Sequence, residues 1–174
     1  MNYSYINKND VANGEGICVS LFVQGCPHHC SGCFNPETWD FNGGQYFDIE
    51  IEEEIWEALT ANGIERGLSV LGGEPLAPRN RTDVARFLLD TKLKFPNIKI
   101  YLWTGYVLEE LLKEEDYDIK VILNQIDALV DGPFVETERD ITLHLRGSRN
   151  QRILTKEQIY DIINKKESEK LGYN

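Results

Sequence analysis

ICVSLFVQGCPHHCSGC, residues 17–33, runs a short apolar segment straight into three closely spaced cysteines. The apolar part, ICVSLFVQ (17–24), has the length of a strand and no polar face, as expected of a strand covered on both sides in a parallel sheet. Three later runs share these properties: GLSVLG (67–72), IKIYLW (98–103) and DALVD (127–131). The segments between them change period. IEEEIWEALTA places Ile51, Ile55 and Leu59 on one helical face, and DVARFLLDTKLKF does so with Val84, Phe87, Leu88 and Leu93. The acidic run Glu52–Glu54 then reads as the solvated first turn of a helix, favoured there by the dipole. Residues 107–114 read as a further helix, and 119–125 fit either a strand or a helix. Thr155 with Gln158 forms a capping box ahead of Ile159, Ile162 and Ile163, so a helix over about 156–168 is expected. Strands alternating with helices predict an α/β fold with a mostly parallel sheet of about five strands, fewer than the eight that close a barrel.

The chain as a whole excludes several classes of function. Its 174 residues suit one domain spanning 1–174. With 29 acidic against 18 basic side chains the net charge is −11, which repels a phosphate backbone and argues against nucleic acid as a partner. No apolar run approaches the roughly 18 residues of a membrane helix. The opening residues, MNYSYINKND, lack the pattern of a secretory leader, so a cytoplasmic location is expected. Four cysteines, at 18, 26, 30 and 33, crowd into the first fifth of the chain instead of spreading as a disulfide framework would.

The loop CPHHCSGC can turn Cys26, Cys30 and Cys33 toward one centre. Zinc would want a fourth ligand from His28, His29 or Cys18. The histidines read as solvated loop residues, and Cys18 as a small buried thiol within ICVSLFV. Three thiolates alone hold three corners of a 4Fe-4S cluster and leave one iron open to an outside ligand. Each remaining motif also follows a predicted strand: GGEP (72–75), TGY (104–106) and DGPF (131–134). That edge of an α/β sheet is where ligands bind, so the four loops should share one pocket. Gly72 and Gly73 bare the backbone, and Glu74 beside them offers a seat for an ammonium group.

The spacing of Cys26, Cys30 and Cys33, followed by Gly72–Pro75, resembles that of the radical S-adenosylmethionine enzymes. More narrowly, NGEGICVSLFVQGCPHHCSGCFNPETWDF is similar to the activases of glycyl-radical enzymes, and LWTGY, DALVDGPF and LRGSRNQRI resemble segments of those acting on anaerobic ribonucleotide reductase. The likeness covers about residues 11–154; it departs at NGEGI, where larger activases carry an aspartate and a proline, and the chain has no second cysteine cluster. The resemblance implies an incomplete (βα) barrel of the radical S-adenosylmethionine type. It also implies an activase in which a 4Fe-4S cluster and S-adenosylmethionine, not protein side chains, carry the chemistry: a 5′-deoxyadenosyl radical takes hydrogen from a glycine. It makes Cys26, Cys30 and Cys33 the iron ligands, directs Gly72, Gly73 and Glu74 to the methionyl amine, and sets Phe34 beside the adenine. Thr104 and Asp131 are then candidates for the ribose or carboxylate. Arg146, Asn150 and Arg152 are candidates for the carboxylate or a partner protein, with surface salt bridges an equal alternative. The implied partners are the large subunit of the reductase and an electron donor such as a flavodoxin. A small-molecule enzyme resembling 7-carboxy-7-deazaguanine synthase, and a structural zinc module, are the rival readings.

Overall fold

Side-chain alternation along the strands sets the architecture in the computed structural model, which describes residues 1–172. The elements run β1 (Asn2–Asp10), β2 (Cys18–Val23), β3 (Gln45–Tyr46), α1 (Ile49–Thr60), β4 (Gly67–Gly72), α2 (Arg81–Lys94), β5 (Ile100–Trp103), α3 (Leu108–Leu111), α4 (Tyr117–Gln125), β6 (Ala128–Asp131), β7 (Arg152–Thr155) and α5 (Lys156–Lys170). One open sheet has the order β3-β1-β2-β4-β5-β6-β7. Its centre, β2-β4-β5-β6, is parallel, while β1, β3 and β7 add antiparallel margins.

The four apolar runs are these four central strands. The expected count of about five is corrected to seven. The missed strands are peripheral and have no apolar run to betray them: β1 reads NYSYINKND and buries only Tyr3 and Asp10, β3 has two exposed residues, and β7 is RILT. Residues 119–125 resolve as helix. Asp116 caps α4 by accepting from the Asp118 and Ile119 amides, and Ile119, Ile122 and Leu123 bury one face. The capping box of Thr155 and Gln158 opens α5.

Alternate residues of the strands point to opposite sides. Val19, Leu21, Val23, Leu68, Val70, Ile100 and Leu102 join Ile55, Leu59, Val84, Phe87 and Leu88 of the helices in the main core. Phe87 anchors it, fully buried, with its ring 5.2 Å from that of Phe47. Two helical expectations change. Leu93 lies outside the buried face of α2, which is Val84, Phe87, Leu88 and Thr91 instead. Glu52 is not solvated: it is fully buried and ion-paired with Arg86 of α2, a partner its neighbours in sequence do not reveal. No helix among the described residues is long and apolar enough to cross a membrane.

Candidate functional site

The other side of the sheet opens into a cavity of about 530 Å³ at the carboxyl ends of the parallel strands. Cys26, Cys30 and Cys33 from the loop after β2, Gly72–Glu74 after β4, Thr104 and Gly105 after β5 and Gly132 after β6 all line it. The shared location expected of the four loops is therefore what the fold produces.

The cysteine loop is held mainly through its backbone. Gly25, at φ +93°, donates to the Thr38 carbonyl at 2.7 Å, and the Cys26 amide donates to Trp39 O at 3.1 Å. The Phe41 ring fills the space a side chain at Gly25 would need. His29 stacks on Trp39 with centroids 4.7 Å apart. All three thiols are free and half-buried. Burial pushes the Cys26 thiol up to about 11, with the Glu74 charge adding to the shift. A bound cation would offset that desolvation and favour the thiolate. Among the described residues no three His, Cys, Asp or Glu side chains converge on a point one metal ion could fill. Thiolates of a cubane cluster each serve a different iron and need no such point.

Gly72 and Gly73 have a steric reason. A Cβ on Gly72, at φ +101°, would stand 2.8 Å from Phe22 Cα, and one on Gly73 would stand 2.6 Å from the Gly25 carbonyl. Their absence lets Gly73 N reach Val23 O and Glu74 N reach Gly25 O, both at 2.8 Å, which joins the cysteine loop to the glycine loop. Glu74 is fully buried. Its Oε1 accepts from the Thr104 hydroxyl at 2.8 Å and the Leu76 amide at 2.9 Å, and its Oε2 lies 2.8 Å from His28 Nε2 and 2.7 Å from the Gly105 amide. Thr104 thus orients Glu74. His28, expected in solvent, belongs to the site instead, because the loop folds it back over the glycine motif.

Phe34 is half-exposed at the cavity mouth, 5.2 Å from Phe134 and with the Arg139 guanidinium 4.8 Å above its ring. Arg146 also lines the cavity; its Nη1 donates to Gln151 O, and its Nε is buried without a partner among the described residues. Asp131 is not brought to the cavity lining. Its carboxylate is buried, accepts from the Leu108 amide at 2.9 Å and pairs with Arg152, which also grips Glu109. Those two acids hold the Arg152 guanidinium above its ordinary value. Asn150 donates to Pro133 O at 2.7 Å. Cys18 is the buried thiol expected. The glycine of NGEGI nearest it, Gly14, leaves no room for a Cβ, which would stand 2.4 Å from Cys18 Sγ; the preceding Ala12 and Asn13 line the cavity. Sequence reasoning missed Asn80, whose buried amide donates to Gln24 O, Gly25 O and Glu74 O and so binds both loops to the start of α2. An asparagine before a helix reads only as a cap, so no local signal pointed there.

Comparison with known proteins gives this site a class. The model of the 4Fe-4S single cluster domain matches residues 12–154. Proteins named anaerobic ribonucleoside-triphosphate reductase-activating protein are similar over most of the chain. The one from Haemophilus influenzae is 42% identical over 154 residues, covering 88% of this chain and 97% of the relative. That of Escherichia coli K12 is 40% identical over 152 residues (87% and 96%), and that of Enterobacteria phage T4 is 38% identical over 153 residues (88% and 93%). The chain belongs to the 4Fe-4S single cluster domain family and, within it, to the family of these activating proteins.

Proposed function

We propose that this chain activates anaerobic ribonucleotide reductase by generating a glycyl radical on its large subunit, with a 4Fe-4S cluster and S-adenosylmethionine as cofactors. In this reading the chain is one radical S-adenosylmethionine domain, and its open sheet is the incomplete barrel of that class. The observation that carries the reading is the meeting, on one cavity, of three free thiols from a single loop with a buried carboxylate from the glycine loop. The donor set fits the cofactors: three soft ligands suit iron while leaving a corner unfilled, and a buried anion suits an amino group. When bound together, the two cofactors supply one-electron cleavage of a sulfonium bond and a carbon radical that takes hydrogen from a glycine Cα.

The chain's own residues prepare that chemistry. Cys26, Cys30 and Cys33 are the iron ligands. Gly72 and Gly73 would keep the wall bare for the amino-acid end of S-adenosylmethionine, and Glu74 would attract its ammonium group. Thr104 fixes the direction of Glu74 through its hydroxyl. Phe34, with Arg139 on one face, offers the aromatic edge for the adenine. Asp131 acts at one remove, tying Arg152 and the start of α3 beneath the loop that follows β6. Ile141, Leu143 and Leu145 line the cavity from the segment after β6, and the exposure of Ile141 marks that segment as its rim. A radical this reactive needs water kept out, so the partner's glycine-bearing loop is the element that completes the enclosure. A flavodoxin-type protein is the proposed reductant.

The test is to mix anaerobic, iron-loaded protein with the reductase, S-adenosylmethionine and a reductant, and to record electron paramagnetic resonance. A glycyl doublet on the reductase is expected. Cleavage of S-adenosylmethionine without a doublet would instead favour a small-molecule substrate, and colourless protein with zinc and no sulfide would remove the radical chemistry.

A further inference from the structure

An ionised carboxylate has about four hydrogen-bonding positions. All four of Glu74 are taken, by Leu76 N, Thr104 Oγ1, Gly105 N and His28 Nε2. An ammonium group arriving at Glu74 therefore has to replace one of these donors. Two of them are main-chain amides fixed by the fold, and the Thr104 hydroxyl sits on a buried residue at the end of β5. His28 differs from all three. It rides on the cysteine loop, its side chain keeps 18% of its exposure, and it rests edge-on against Tyr106 at 4.5 Å rather than within the core.

We propose that His28 is a placeholder: its imidazole occupies the position on Glu74 that the ammonium group of S-adenosylmethionine takes over, and leaves when that ligand binds. The inference rests on the reading of Glu74 given above. It makes His28 a positioning residue with two effects. It fills the fourth hydrogen-bonding position of a buried carboxylate while no ligand is present, which avoids leaving that position unsatisfied. It also lowers the apparent affinity for any ligand that must displace it. Because His28 lies between Cys26 and Cys30, the exchange carries ligand binding into the loop that holds the iron. Gly105 fits this role: a Cβ there would stand 2.5 Å from the imidazole, so a larger residue would push His28 off Glu74.

The test measures binding, not turnover, with iron-loaded protein of verified iron and sulfide content. S-adenosylmethionine is one probe; 5′-deoxy-5′-methylthioadenosine, which lacks the amino-acid end, is the other. His28→Ala should bind S-adenosylmethionine about tenfold more tightly than the natural chain, since the competing donor is gone. Affinity for the truncated nucleoside should not change. His28→Gln, whose amide can make the same bond, should stay near the natural value. A second variant tests the same exchange by geometry: Gly105→Ala, whose Cβ would stand 2.5 Å from the imidazole, should also bind S-adenosylmethionine more tightly and leave the truncated nucleoside unchanged. Equal or weaker binding of S-adenosylmethionine by both His28→Ala and Gly105→Ala overturns the exchange alone. Failure of the iron-loaded natural chain to bind S-adenosylmethionine at all removes the reading of the site, and the exchange with it.

Discussion

Leu102 and Leu71 stand on adjacent strands of the sheet, yet they meet different surroundings. Leu102, on β5, packs into the main core; Leu71, on β4, lines the cavity. The same division runs along β2, where Leu21 faces the helices and Phe22 the cavity. One side of the sheet is filled and holds the molecule together, and the other is left open and presents the loops. The four central strands therefore serve stability and chemistry through alternate residues, and substitutions on the two sides should have separable effects.

The largest effect belongs to the open side. Cys30→Ala removes a proposed iron ligand, so the iron bound per chain falls and the glycyl doublet is abolished. The metal-free chain should unfold within about 0.5 kcal/mol of the natural one, because the loop is held by its backbone and not by this thiol. Iron assay, resonance spectroscopy and denaturant titration check the three statements; a full iron complement in the variant would take Cys30 out of the ligand set. Next comes a matched pair. Leu102→Ala leaves a cavity in the filled side and should cost about 4 kcal/mol, whereas Leu71→Ala only enlarges an existing one and should cost about 2 kcal/mol. Equal costs in denaturant titrations would erase the distinction between the two sides.

How much of this was legible beforehand follows the same division. The central strands announced themselves, because they are buried along nearly their whole length, and ICVSLFV, GLSVLG, IKIYLW and DALVD are predominantly apolar runs without the alternation of a half-exposed strand. The margins did not, because β1 needs only Tyr3 and Asp10 buried, and its polar remainder resembles a loop. Within the site, the cysteine spacing and GGEP could be read because their residues are close in sequence. The contacts that organise them could not. His28 to Glu74 spans 46 positions, Asn80 to Gln24 spans 56, and Glu52 to Arg86 spans 34. Asp131 shows the limit of motif reasoning: it stands at the carboxyl end of β6, but its buried carboxylate pairs with Arg152 of β7.

Asp131→Asn sharpens that point with a smaller effect. It removes the charge that Arg152 and the Leu108 amide address together, at a cost of about 1–3 kcal/mol, moderated because Arg152 is partly solvated and keeps Glu109. The loss should appear in thermal unfolding. A fall in S-adenosylmethionine affinity beyond what that destabilisation explains would put Asp131 in the cavity after all.

The smallest effect tests whether the cavity rim is an ordered part of the open side. Asp140 begins the rim, accepting from the Thr142 hydroxyl at 2.6 Å, the Thr142 amide at 3.0 Å and Arg149 at 3.0 Å. These donors, the hydroxyl first, pull its carboxyl from 3.8 down to about 2. A group depressed in the folded chain stabilises it above the unfolded value and loses that contribution as pH falls through the folded one, so the rim should loosen between 3.8 and about 2. Trp103 reports on the rim directly, since its indole N–H donates to the Leu145 carbonyl at 2.8 Å. In metal-free protein its indole resonance should shift over that window. Asp140→Asn should show the shifted resonance already at neutral pH, because the amide keeps an acceptor for Thr142 but loses the charge that holds Arg149. If the resonance in Asp140→Asn matches the natural chain at neutral pH, the rim is ordered by its apolar contacts alone, and the two sides of the sheet are held by the same kind of force.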